Sequence, residues 1–307
     1  MAILIDEKKR VIVQGITGRE GMVRARLMLD YGTKLIGGVT PGRGGQVVHD
    51  LPVFDSVAEA RRALGPIDAS VIFVPAPKVK EAALEALHAG VPLLALIADR
   101  VPLYDVLEIV EVAAETGARF VGPNTVGVMS PDRAVLGMMG GAAETARTWF
   151  RAGPVGIASR SGGLSAAAGY YICRAGIGLS TVVHVGGDAV VGFTLRDAVE
   201  EFERDPETEI VVVIGEIGTS QEEQVAEAVV GGSVSKPVIA YIGGRAAQSG
   251  TRYSHAGAII EGGRGTYQHK VEALRRAGIH VVEAFNDIAR KVSELLGTRP
   301  KGERVHG

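Results

Sequence analysis

A single cysteine, Cys173, in a chain of 307 residues excludes an internal disulfide framework and a cysteine metal cluster. Placed in a helical run, it reads as a core residue of a protein from a reducing compartment. Charge of one sign is also scarce. A formal net charge of −2 gives no general attraction to nucleic acid or to an anionic membrane, so any phosphate recognition has to be local. Long hydrophobic runs are missing as well, and residues 1–10 mix acids and bases where a leader would be basic and then apolar. A soluble, cytoplasmic protein without nucleic-acid or membrane partners is expected. The composition is 46% hydrophobic and 22% charged with 42 glycines, as an α/β protein with many tight strand-to-helix turns requires. The length suits two domains.

Short β-rich runs at 11–14, 34–39, 69–74, 91–97 and 119–121 alternate with amphipathic segments. Runs such as Ser70-Val71-Ile72-Phe73-Val74 predict strands buried on both faces of a parallel sheet. The glycine-rich stretch 137–153 interrupts this rhythm and is read as the crossing between domains. The pattern restarts at 155–158, 181–185, 210–214, 238–242 and 280–284. The expected fold is α/β: a Rossmann-like domain over 1–135, a second doubly wound, flavodoxin-like parallel-sheet domain over 150–297, and a tail over 298–307.

The first strand runs into Gly15-Ile16-Thr17-Gly18-Arg19-Glu20-Gly21 and then a helix. Glycines allow close backbone approach, and the free N–H groups of a helix start favour phosphate. The second strand ends Gly38-Val39-Thr40-Pro41-Gly42-Arg43-Gly44-Gly45, without the acid that usually meets the ribose of NAD. Arg43 suits an additional phosphate, either the 3′-phosphate of coenzyme A or the 2′-phosphate of NADP.

Of seven histidines, His88 and His280 read as element ends, His306 as tail, and His49 and His269 as exposed. His255 differs, because Ser249-Gly250-Thr251-Arg252-Tyr253-Ser254 before it and Ala256-Gly257-Ala258 after it leave the ring accessible. A neutral imidazole attacks a phosphoryl group well when a carboxylate holds its other nitrogen as N–H. Glu216, at the end of the strand 210–214 in Gly215-Glu216-Ile217-Gly218, is the candidate orienter. Ser159-Arg160-Ser161-Gly162-Gly163 opens a helix and offers Ser159, Ser161 and Gly162 to the phosphate. No GxxxxGK[ST] nucleotide motif and no metal-ligand cluster is found, so no metal is assigned to this chain.

Taken together, these segments resemble the α subunit of succinyl-CoA synthetases. Gln14–Gly18, Gly38–Gly45, Phe73-Val74-Pro75-Ala76-Pro77 and Gly122-Pro123-Asn124 are similar to its CoA-binding domain. His255–Ile260 is similar to its phosphohistidine signature GHAGAII, with Ser254 in place of the glycine. The resemblance runs from about Ile3 to Leu296. It implies CoA phosphates near Gly15, Thr17, Gly18, Thr40, Pro41 and Arg43, the adenine end beside Val74 and Pro75, and Gly21 and Asn124 in the same cofactor-binding set. It further implies an acid–thiol ligase in which His255 relays phosphate and Glu216 fixes it. The acid would be a small dicarboxylate, succinate first, with malate-CoA ligase or citryl-CoA synthetase as alternatives. ATP or GTP and Mg2+ would lie on a β subunit with an ATP-grasp domain. Departures are Thr125 for the cysteine of GPNCPG, and Gly163, Ala166 and Ala167 for the threonine, tyrosine and glutamate of SRSGTLTYE. A noncatalytic CoA-binding relative would account for the departures, and an NADP oxidoreductase for Arg43, but the latter leaves the histidine loop unused.

Overall fold

Strands that are apolar on both faces need helices on both sides of their sheet, and the computed structural model, which describes residues 2–245 and 265–297, has that arrangement twice. The first part comprises β1 (Val11–Gln14), α1 (Arg19–Tyr31), β2 (Leu35–Val39), β3 (Val47–Val48), β4 (Leu51–Phe54), α2 (Val57–Leu64), β5 (Ala69–Ile72), α3 (Val79–His88), β6 (Leu93–Leu96), α4 (Leu103–Thr116) and β7 (Arg119–Val121). The second comprises β8 (Gly127–Ser130), β9 (Ala134–Gly137), α5 (Ala143–Trp149), β10 (Ala152–Ser159), α6 (Gly162–Arg174), β11 (Leu179–His184), α7 (Leu195–Arg204), β12 (Ile210–Glu216), α8 (Gln221–Val230), β13 (Val238–Gly243), α9 (Tyr267–Arg276), β14 (His280–Val282) and α10 (Asp287–Leu295).

The first sheet has the order β3-β4-β2-β1-β5-β6-β7, parallel throughout except for the short edge strand β3. The strand order reverses between β1 and β5, so a crevice opens at the carboxyl ends of those two strands, where Gly15 and Val74 follow. The second sheet reads β14-β13-β12-β10-β11-β8-β9, with β10 through β14 parallel and β8 and β9 antiparallel at one edge. Its reversal lies between β10 and β12, bringing Ser159 and Glu216 to one crevice.

The sequence patterns account for the burial. In β1, Val11 and Val13 enter a core that continues into the second sheet, while Ile12 faces a separate core with Leu94, Leu87 and Ile109. Burying each such side chain stabilises the fold by roughly 1.5–3 kcal/mol. α7 begins at Thr194, whose hydroxyl accepts from the Asp197 N–H while the Asp197 carboxylate accepts from Thr194, and Leu195, Ala198, Val199 and Phe202 fill its buried face. Both mostly parallel sheets match the fold expected from the sequence. The antiparallel hairpin β8–β9 does not, and it changes where the chain crosses: residues 127–137 already hydrogen-bond to the second sheet, ahead of the stretch 137–153. Two glycines bracket the hairpin, and a Cβ on Gly127 would lie 1.8 Å from the Leu136 carbonyl oxygen, so only a glycine permits this tight pairing. Among the described residues no helix is long and apolar enough to cross a membrane.

Candidate functional site

At the first crevice the chain turns sharply at Gly15, with φ +81°; a Cβ there would lie 2.4 Å from the Phe73 carbonyl oxygen. Gly21 packs as closely, since its Cβ would lie 2.2 Å from the Gly15 carbonyl oxygen. Gly18 is the N-cap of α1 and brings no side-chain cap, so the first N–H groups of the helix face the crevice without one. Gln14, on β1, is locked by donating to the Ala82 carbonyl at 2.8 Å and accepting from Ser70 at 2.7 Å. The resulting cavity, of about 560 Å³, is lined by Gly15, Thr40, Pro41, Val74 and Pro75 together with Lys78. Thr17 leans on it through its N–H, 3.5 Å from Thr40 Oγ1.

Arg43 and Asn124 are placed differently. Arg43 stands exposed on the loop after β2, outside the residues that line the cavity. Asn124, with φ +57° after the cis Gly122-Pro123 bond, joins the two sheets: its N–H donates to the Ala98 carbonyl at 2.8 Å and its Nδ2 to Asp188 Oδ1 at 3.2 Å. Lys78 was missed by sequence reasoning; its position directly after Val74-Pro75-Ala76-Pro77 is the signal that points to it. Its ammonium pairs with Glu81 at 3.1 Å on the cavity rim.

At the second crevice Ser159 ends β10 fully buried, and its hydroxyl closes the turn by donating to the Ser161 carbonyl (2.8 Å) and accepting from the Ser161 N–H (3.0 Å). Its oxygen is therefore spent inside the protein. Ser161 is the N-cap of α6 and accepts from the Leu164 N–H at 3.4 Å. Gly162 and Gly163 supply the first N–H groups of that helix, the ones an α-helix leaves unpaired. Glu216, with its side chain 14% exposed, accepts from Arg160 Nε at 2.9 Å across the reversal of strand order. Arg160 is fully buried; its Nη2 donates to the carbonyls of Gly187 (3.4 Å) and Asp188 (3.2 Å), and its Nη1 has no partner among the described residues. A buried guanidinium with a donor unpartnered among the described residues and a helix N-terminus are groups that favour an anion, and the carboxylate between them is one that can orient a donor.

His184, which the sequence reading left inside a strand, closes the floor of this crevice. Its Nδ1 accepts from the Val126 N–H at 2.9 Å, so Nε2 carries the proton and donates to the Arg160 carbonyl at 3.0 Å. His255 itself falls outside the described residues. Both flanks of its segment are described: Gly243 is the register partner of Glu216, and Gly265 accepts from the Gly218 N–H at 2.8 Å. Of the other histidines, His49 bonds the Met22 carbonyl, His269 pairs with Glu223 at 3.1 Å, His88 ends α3 and His280 begins β14. Among the described residues no group of three or more His, Cys, Asp or Glu side chains is disposed to hold a metal.

Two family models match this chain, a CoA binding domain over residues 6–99 and a CoA-ligase domain over residues 158–280. The chain is 45% identical to the succinate–CoA ligase [ADP-forming] α subunit of Aquifex aeolicus, over 96% of this chain and 95% of the relative. It belongs to the succinate–CoA ligase α-subunit family. The same family includes an ADP-forming sulfoacetate-CoA ligase subunit of Bilophila wadsworthia, 41% identical over 97% of this chain and 100% of the relative. Among solved structures, an ATP citrate lyase from Methanothrix soehngenii in complex with citrate and coenzyme A superposes with a TM-score of 0.87 at 25% identity, over 96% of this chain and 51% of that one. The first crevice lies within the residues matched by the CoA binding domain, and the second within those matched by the CoA-ligase domain.

Proposed function

We propose that this chain is the α subunit of an ADP-forming acid–CoA ligase, with succinate as its first candidate acid, and that His255 carries the phosphoryl group between two half-reactions. In one direction His255 would take the γ-phosphoryl of the nucleotide with release of ADP, the carboxylate of the acid would take it from the phosphohistidine to give an acyl phosphate, and the CoA thiol would then displace inorganic phosphate to form the thioester. The observation that carries the proposal is the crevice between β10 and β12. There Glu216, Arg160 and the N-terminus of α6 converge, and both flanks of the segment holding His255 sit against the Glu216 turn. Glu216 would hold one imidazole nitrogen as a donor, leaving the other as nucleophile. Ser161 and the N–H groups of Gly162 and Gly163 would face the phosphate, while Ser159 supports them from beneath. The first crevice would hold CoA, with Val74 and Pro75 toward the adenine and Arg43 swinging in to meet the 3′-phosphate.

A partner with an ATP-grasp domain would contribute the nucleotide, ATP by the naming of the relatives, and Mg2+. The fit of sulfoacetate-CoA ligase subunits to nearly the whole chain favours a second reading, an acid bearing a sulfonate in place of one carboxylate. Co-purified with its partner and given radiolabelled ATP, the chain should take up one acid-labile, base-stable phosphate. His255→Ala should abolish the label while leaving CoA affinity intact, and Glu216→Gln should slow labelling by roughly a hundredfold. Undiminished label in His255→Ala sinks the relay. Thioester formation assayed with succinate, malate, citrate and sulfoacetate then names the acid.

A further inference from the structure

Beneath the Glu216 turn lies a buried ionic cluster that the relay as described does not use. Lys270, on the first turns of α9, and Glu222, on the first turn of α8, are both fully buried. The three N–H groups of the Lys270 ammonium are all taken: it donates to Glu222 Oε2, to Glu223 Oε2 at 2.8 Å and to the Thr219 carbonyl at 3.0 Å. The other oxygen of Glu222 accepts the main-chain N–H of Glu216 at 2.9 Å. That approach depends on Gly215, where a Cβ would lie 2.3 Å from Glu222 Oε1.

The turn so held is strained. Thr219, a β-branched residue, has φ +35°, and Gly218 has φ +83°. Such backbone persists only where surrounding contacts fix it, and here the contacts are Lys270 on the Thr219 carbonyl and the Gly265 carbonyl on the Gly218 N–H. Both come from the chain as it leaves the segment that holds His255. Stability alone does not call for charge at this place, because a buried ion pair can be replaced by apolar side chains of similar volume with little or no loss.

We propose that Lys270 and Glu222 are positioning residues of the phosphoryl relay: through the Glu216 N–H and the Thr219 carbonyl they fix the Glu216 turn against the chain that follows His255. This rests on the reading of Glu216 as the group that orients His255. Neither residue touches the reacting atoms, so each acts through the placement of Glu216.

The test uses the complex with its partner subunit and three double or single variants. Glu222→Leu/Lys270→Met removes the two fully buried charges and the acceptor together, while Glu223, 15% exposed, keeps its contact with His269. Glu222→Gln removes that carboxylate's charge, keeps an amide oxygen for the Glu216 N–H and leaves Lys270 on Glu223 and the Thr219 carbonyl. The first should melt near the wild-type temperature and bind CoA unchanged, yet incorporate phosphate about tenfold or more slowly, as misplacement of a catalytic group by a fraction of an ångström does. The second should return to within about threefold of wild type, since a neutral acceptor replaces a charged one. Wild-type labelling in the leucine–methionine variant, or equal loss in that variant and in Glu222→Gln, overturns the proposal. Should the first variant not fold, hydrogen exchange on Lys270→Met decides: the Glu216 amide must exchange faster while Val211–Ile214 stays protected, and unchanged exchange overturns the proposal. Glu216→Gln at the wild-type rate would instead remove the reading beneath it, which keeps the two failures distinct.

Discussion

Replacing Arg160 by methionine removes the cation from the centre of the second crevice while keeping an unbranched side chain of similar length. The lost contacts are the 2.9 Å pair with Glu216 and the two donations to the Gly187 and Asp188 carbonyls. At that separation the Coulomb attraction is roughly 6 kcal/mol for an effective dielectric constant near 20. Desolvation offsets part of it, and breaking one side of a buried pair costs about 3–5 kcal/mol. Glu216 keeps some water at 14% exposure, which places the expected loss at the lower end, about 3 kcal/mol. Trp149, the one tryptophan, reports on this part of the molecule because its ring meets Tyr170 of α6 edge-on at 5.3 Å. Urea unfolding followed by Trp149 fluorescence should therefore show Arg160→Met destabilised by that amount. The double variant Arg160→Met/Glu216→Gln should recover part of the loss, because no uncompensated carboxylate remains. A loss below about 1 kcal/mol, the scale of an exposed pair, would refute the claim that Arg160 and Glu216 form a buried unit.

Three further outcomes follow from the coordinates. If Arg43 meets the 3′-phosphate, calorimetry should show dephospho-CoA binding more weakly than CoA by about 1.5–3 kcal/mol, with Arg43→Met removing the difference; equal affinities, or preference for NADPH, contradict that role. Burial pushes the Cys173 thiol above its ordinary value of 9.0, so the thiolate is scarcer at pH 8 than in the unfolded chain and is also shielded; native protein should alkylate more slowly than protein in urea, and equal rates would contradict the burial. Burial alone would raise the Glu203 carboxyl, but the Ser235 hydroxyl and the N–H groups of Lys236 and Ser235 hold it below its ordinary 4.5. A lowered folded value means stability that is present above 4.5 and lost as pH falls through the folded value, so Glu203→Gln should cost about 1 kcal/mol at pH 7 and progressively less as the pH is lowered below 4.5, as chemical denaturation across that range would register.

The ten strands that the sequence predicted were legible because burial on both faces writes an unbroken apolar run, as in Ser70–Ile72 or Val211–Ile214. Four strands were not. β4 carries Pro52, which argues against a strand until the edge strand β3 beside it is known, and β8 and β9 are short segments bounded by glycines that read as turn. The cavity of the first domain was half legible for a similar reason. Glycines and prolines at the ends of strands declare a turn, whereas Lys78 looks like any exposed lysine until the fold sets it on the rim. Long-range ionic pairing left no local trace at all. Arg160 and Glu216 are separated by 56 residues, and Lys270 and Glu222 by 48, so only the reversal of strand order and the packing of α9 on α8 bring them together.

The departures from the family motifs take on a different meaning once their positions are known. Thr125, in place of a cysteine, donates its hydroxyl to the His184 carbonyl and accepts from the Gly127 N–H at 2.9 Å, two bonds that a thiol would make only weakly. Val126 stands where GPNCPG has proline, and its N–H is the donor that fixes His184; a proline offers none. Val126 and the His184 ring in turn sit 3.0–3.3 Å from where a Cβ on Gly162 would lie, directly under the start of α6. These changes are therefore a single coupled rearrangement of the wall beside the helix N-terminus. Gly163, Ala166 and Ala167 act on the other side, where they open a hollow of about 300 Å³ lined by Trp149, Tyr170 and Tyr171. Neither rearrangement disturbs the N-cap at Ser161 or the pairing of Arg160 with Glu216. What argues against a relative that has lost the relay is Arg160: buried on Glu216 at the reversal of strand order, with no partner for its Nη1 among the described residues, it keeps a spare donor whose desolvation an anion in the crevice would offset.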